Sequence, residues 1–208
     1  MPRRHHPRTD HRRTAIAQEA ARIMQEQGQR DFRSAKDKAG QRLGLAEQGA
    51  LPSNQEVEHA IAERNRIFRG DEHGAFLDVL RGEALGVMRS LAAFDARLVG
   101  TVLTGHATEA STIELHAFSD SMEAVGAALD TLGLPNQPSE QRLRVRSDQL
   151  KPFPGYRFRH GDFEFTVTVF PERGRGNAPL SAVDGRPMRR ATPRDVELLL
   201  AQRLSTAT

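Results

Sequence analysis

The sequence predicts an α+β protein, a helical N-terminal half packed on a mixed β-sheet with flanking helices. Three observations carry this. The first 95 residues hold apolar side chains at helical spacing with glycines as stops. Beyond Asp95 the period changes to two, most clearly in Phe163–Phe170, where Phe163, Phe165, Val167 and Val169 alternate with Glu164, Thr166 and Thr168. A last helix then follows a long Gly/Pro/Arg segment.

The composition narrows the classes. A chain of 208 residues suits one α+β domain with an extension, or two small domains. Aromatic residues make up 5% and Trp is absent, so the core must be mostly Leu, Val, Ile, Ala and Phe. Cysteine is absent, which excludes disulfides, thiolate catalysis and Cys-zinc sites and fits a cytoplasmic location. No apolar run approaches the roughly 18 residues of a membrane span. No apolar core follows the N-terminal charges, so no secretory signal is expected. Net charge is +3, from a cation set dominated by arginine. Arginine pairs bidentately with phosphate and carboxylate, which makes anionic partners, RNA among them, an expectation. A genome-wide bias toward arginine is the bland alternative.

Taken in order, residues 1–13 are basic, proline-bearing and nearly free of apolar side chains, and are expected to be a disordered tail. Such a tail is either a solvated end or an arm that contacts nucleic acid. Residues 14–95 form the expected helical subdomain. Its first helix, 14–27, carries Ile16, Ala20, Ile23 and Met24 on one face and stops at Gly28. A second, about 31–43, sets Phe32, Ala35, Ala39 and Leu43 against a basic face of Arg33, Lys36, Lys38 and Arg42. That face is either solvated or an anion-binding surface. A loop spans 44–52. Ser53 and Glu56 form a capping box before a third helix that runs to Gly70. A fourth, about 74–92, has the strongest amphipathic stripe, Leu77, Leu80, Ala84, Met88 and Leu91.

Residues 96–208 form the expected α+β domain. Leu98–Phe118 reads as strand, glycine-bearing loop, strand. In its second strand Ile113, Leu115 and Ala117 point one way and Thr112, Glu114 and His116 the other. Ser121–Leu132 reads as a helix, 135–138 as a turn, and Leu143 and Val145 as a short strand flanked by Arg142, Arg144 and Arg146. Pro152 and Pro154 interrupt before a strand at Tyr156 and Phe158, and His160-Gly161-Asp162 turns into Phe163–Phe170. Residues 171–191 form a loop long enough to be functional or disordered. Thr192 caps the final helix, with Pro193 in its first turn.

The Leu98–Phe118 stretch resembles the signature of the nucleotidyltransferase superfamily, the DNA polymerase beta-like fold. Val99-Gly100-Thr101, the ten residues Val102–Ser111, and Thr112-Ile113-Glu114-Leu115 stand where that family has a hydrophobic residue, Gly, Gly or Ser, a spacer, and Asp-hydrophobic-Asp/Glu-hydrophobic. The resemblance implies a nucleotidyltransferase-like sheet that moves a nucleoside monophosphate from an NTP to an acceptor, using Mg²⁺ ions held by strand carboxylates. It implies Glu114 as the second carboxylate and Glu164, or else Asp162, as the third, each catalytic and metal-binding. Gly100, Thr101 and Ser111 would meet the nucleotide phosphates. Arg186, Arg189 and Arg190 would clamp a triphosphate or an RNA backbone. The chain departs from the pattern at Thr112, where the family has its first metal-binding Asp; Glu109 and His116 are the candidates to compensate. The competing expectation is a catalytically inactive adaptor that binds nucleotide, RNA or protein.

Overall fold

The computed structural model describes residues 7–29, 31–45, 51–68 and 70–206. The protein is α+β, and it divides into two compact units, 1–73 with 108–111, and 74–107 with 112–208. The division falls inside a helix instead of near Asp95. The apolar stripe of that helix, Leu77, Leu80, Ala84 and Met88, belongs to the core built on the sheet.

In the first unit, α1 (Pro7–Glu26), α2 (Phe32–Arg42) and α3 (Asn54–Phe68) surround Ile16, Ala20, Ile23, Ala35, Ala39, Val57 and Ile61. The expected disordered tail is corrected over 7–13, which is helical; residues 1–6 lie outside the described residues. Pro7 supplies the φ of a first helical position, and Arg13 reaches both Glu56 oxygens at 2.7 and 2.8 Å. Part of the expected 44–52 loop, residues 46–50, also lies outside the described residues. Asp31 caps α2 by accepting from the Ser34 N–H at 2.8 Å. The capping box of α3 forms as expected, Ser53 Oγ accepting from Glu56 N–H and Glu56 Oε2 from Ser53 N–H. Three of the four cations on the basic face of α2 have partners within the unit, two of them carboxylates. Lys36 donates to Pro52 O and Asn54 Oδ1, Arg42 to Glu19, and Arg33 to Asp37.

The second unit is built on a five-stranded sheet. After α4 (Gly70–Ser90) come β1 (Arg97–Val99), α5 (Gly100–Thr104), β2 (Ile113–Phe118), α6 (Met122–Thr131), β3 (Asn136–Arg146), β4 (Gln149–His160), β5 (Phe163–Phe170) and α7 (Pro193–Thr206). The strand order is β1-β2-β5-β4-β3, with β2 and β5 parallel and the other pairs antiparallel. The Gly100 segment, expected as a loop, is one helical turn and more. It closes at Gly105, whose N–H donates to Thr101 O.

The prolines expected to interrupt a strand instead lie inside β4. Pro152 and Pro154 pair with Arg142 and Glu140, on the part of β4 that extends past its ladder with β5. There β4 has one neighbour, and the two prolines share a parity that turns the missing N–H away from it. The expected turn over 135–138 is likewise absorbed into β3 from Asn136 onward.

One sheet face is apolar. Ile113, Leu115 and Ala117 of β2, Phe165, Val167 and Val169 of β5, and Tyr156 and Phe158 of β4 join Leu80, Met88, Leu91, Val125 and Leu129 in a single core. α7 is tied down by Arg203, which donates to Asp78 of α4 at 2.6 Å. The 171–191 segment is tied by its backbone to both edge strands of the sheet. Leu98 and Ala191 exchange a pair of backbone hydrogen bonds at 2.9 Å, and Leu180 N–H donates to Arg144 O.

Candidate functional site

The other face of the sheet collects the polar side chains. The parallel register sets Glu114 opposite Thr166 and His116 opposite Thr168. Glu164 has the parity of Thr166, so Glu114 and Glu164 share this face on adjacent strands, offset by two residues. Carried back one residue, the register brings Thr112 opposite Glu164, and the Thr112 hydroxyl is buried with no hydrogen-bond partner. Arg97, opposite His116, and Arg157, opposite Thr166, extend the face on either side.

Gly100 lies directly beside Glu114. Its φ of 70° is in the left-handed region, and a Cβ built on it would stand 2.1 Å from Glu114 Oε2. The bare backbone of the first α5 residue and a strand carboxylate therefore occupy one spot, held by the Val99–Glu114 pairing. Thr101 continues the turn, and its carbonyl accepts from the Gly105 and His106 N–H groups.

The donor set does not fit the two-Mg²⁺ centre that the resemblance implies. That centre needs a cluster of negative oxygens. Glu114 and Glu164 provide two carboxylates, while Thr112 adds a neutral hydroxyl. No group of three His, Cys, Asp or Glu side chains suited to a metal ion occurs among the described residues.

Of the two candidates to compensate for Thr112, Glu109 lies in the 108–111 turn, which groups with the helical unit. Ser111 closes the same turn, its hydroxyl accepting from the Thr108 N–H at 2.9 Å. His116 is 2% exposed. Burial first, and the Arg190 charge second, push its pKa down to about 3. Its Nδ1 accepts from Arg190 Nε at 3.0 Å, so the ring is neutral and carries its proton on Nε2. It is therefore a poor base at neutral pH. Asp162, the fallback third carboxylate, sits in the β4–β5 turn, where its backbone carbonyl accepts from Arg159.

The three loop arginines separate. Arg190 reaches the sheet face through His116. Arg189 and Arg190 border a cleft of about 380 Å³ with Leu103, Ala191, Asp195, Leu198, Leu199 and Gln202. Arg186 sits instead in the Asp184 turn, its backbone N–H donating to Asp184 Oδ1 at 3.0 Å.

Sequence reasoning missed what surrounds Arg190. The guanidinium carbons of Arg97, Arg175 and Arg190 stand 5.5, 5.6 and 5.0 Å from the Phe118 ring centroid, and Arg190 also lies 4.6 Å from that of Phe170. Phe170 contacts the His116 ring at 4.5 Å. The one signal in the chain was parity. Arg97 immediately precedes the Leu98–Phe118 stretch, and Phe118, its last residue, shares the face of Glu114 and His116.

No protein-family model matches the chain, and no curated protein matches it either.

Proposed function

We propose that the sheet unit is a nucleotidyltransferase-like nucleotide-binding module whose metal centre has decayed, so that it holds an NTP and transfers its nucleoside monophosphate, with release of pyrophosphate, slowly or not at all. The observation that carries this reading is the convergence at the start of α5. The left-handed Gly100 backbone lies against Glu114, with Glu164 and Thr112 on the same sheet face. β1, a glycine-led helical turn and a carboxylate-bearing β2, with a second carboxylate on the neighbouring parallel strand, follow the order the resemblance requires.

The chemistry follows from charge. Two strand carboxylates beside a neutral threonine would leave two divalent cations under-compensated. Affinity for the nucleotide is therefore expected to depend little on Mg²⁺. Glu114 already fills the space over Gly100, so a phosphate that approached this backbone would have to displace its carboxylate. The cleft beside Arg189 and Arg190, with leucine on its walls, is of ligand-binding size.

Calorimetry with ATP, GTP, CTP and UTP, with and without Mg²⁺, tests the reading. Binding of at least one NTP that hardly changes on adding EDTA is expected, with no labelled monophosphate transferred. Robust Mg²⁺-dependent transfer by the natural protein would overturn it. Thr112→Asp supplies the missing carboxylate. That variant should melt lower than wild type in EDTA, because three carboxylates then crowd one face, and Mg²⁺ should raise its melting temperature more than it raises that of wild type. An equal response to Mg²⁺ in both proteins would mean that no metal site ever stood here.

A second reading, a nucleic-acid adaptor, draws on Arg142 and Arg146, both exposed on β3. Arg144 of the same row is spent on Ser147 O. Salt-sensitive RNA binding without NTP binding would favour it.

A further inference from the structure

Three guanidinium groups meet around Phe118, and the nearby carboxylates do not balance them. Asp95 accepts from Arg97 Nη2 at 2.7 Å and from Arg175 Nε at 3.3 Å. Glu172 comes only within 3.8 Å of Arg175 and is largely exposed. Arg190 has no carboxylate partner among the described residues. Its Nε donates to neutral His116, and its Nη1 to the carbonyls of Gly174 and Arg175 at 3.2 and 3.1 Å. Two donors remain buried and unpartnered, Arg190 Nη2 and Arg97 Nε. Each would ordinarily cost the desolvation of a charged donor. Burial, and then the Arg97 charge, lowers the Arg190 pKa to about 10, as expected of cations held together without enough anion between them.

We propose that Arg97, Arg175 and Arg190 form an oxyanion site that takes the terminal phosphates of a polyphosphate chain, doing with fixed guanidinium charge what metal ions would otherwise do. The proposal rests on the nucleotide reading for the identity of the rest of the ligand. Guanidinium groups match phosphate oxygens in a planar fork and need no loading step. The placement fits a chain of phosphates. Arg97 is opposite His116, two residues or about 6.7 Å along β2 from Glu114, and Phe118, around which the three guanidinium groups gather, is four residues or about 13 Å from it on the same face. Arg175, 41% exposed, is the outermost of the three and marks the side from which an anion enters. Neutral His116 holds Arg190 in place without adding a fourth positive charge.

The test is calorimetry in EDTA with two probes, ATP and base-free inorganic tripolyphosphate, on the full chain. Wild type is compared with Arg175→Ala and Arg190→Lys. Arg175 is exposed, so its variant keeps the fold and decides the matter if Arg190→Lys does not fold. Wild type should bind both probes, and each folded variant should weaken both by about tenfold or more. If ATP binds wild type and both variants alike, the arginine site is overturned while the nucleotide reading stands. If tripolyphosphate binds, weakens in the variants, and ATP binds no better than it, the arginine site stands and the nucleotide reading fails. If neither probe binds wild type in EDTA, the arginine site is overturned.

Discussion

Acidification from pH 8 to pH 5 should destabilise the sheet unit chiefly through His116. The folded protein holds this imidazole neutral down to about pH 3, against 6.5 for the free side chain. The unfolded chain therefore takes up a proton near pH 6.5 that the folded chain refuses. The stabilisation is complete above pH 6.5 and is lost as the pH falls toward 3. Between pH 8 and pH 5 the population factor is roughly 30, which amounts to about 2 kcal/mol. At a typical urea dependence this shifts the midpoint by on the order of 1 M. The assay is built into the chain. Tyr156 is the sole tyrosine and tryptophan is absent. Tyr156 is buried on the sheet and donates to Met122 O, so its fluorescence reports on this unit. The control is His116→Asn, whose Oδ1 replaces the Nδ1 acceptor for Arg190 without titrating. It should be less stable at every pH, because the ring contact with Phe170 is lost, yet its midpoint should change little between pH 8 and pH 5. Equal shifts in wild type and variant would refute the reasoning, since the loss would then come from other groups.

Two glycine substitutions probe the same unit. Gly100→Ala should cost about 1–3 kcal/mol, from the left-handed φ and the clash with Glu114. Adding Glu114→Ala should recover only the clash, so denaturation of the double variant would show partial rescue; complete rescue would mean that alanine meets no backbone strain there. Gly155→Ala should be harsher. Its Cβ would lie 2.1 Å from the Val167 carbonyl oxygen, a backbone atom of the next strand. A melting temperature equal to wild type would contradict the close approach of β4 and β5.

Alternation made β5 and the faces of β2 readable, because residues two apart share a face in any strand. Ser53 and Glu56 announced the start of α3 through local hydrogen bonds. Most of the misses are non-local. Pro152 and Pro154 looked like breaks because nothing near them in the chain reveals that β4 outruns its ladder with β5. The parallel pairing of β2 with β5 skips an entire hairpin. Parity alone puts Glu114 and Glu164 on polar strand faces, and only that long-range pairing makes them neighbours. Gly100-Thr101 hid a helical turn behind a residue that usually marks a loop. Arg97, Arg175 and Arg190 come together only because the 171–191 segment returns to the edge of β1. Arg186 and Arg189, as close in sequence to Arg190, do not reach Phe118.

That return has a second effect. β1 and β3 are the two edges of the sheet, and an open edge invites a strand from another molecule. Leu98 gives both its backbone groups to Ala191, and the Arg144 carbonyl is taken by Leu180. One segment thus blunts both margins. Shortening it to remove Arg190 would expose two templates for intermolecular pairing at once, and such deletions would be expected to polymerise before they reported on ligand binding.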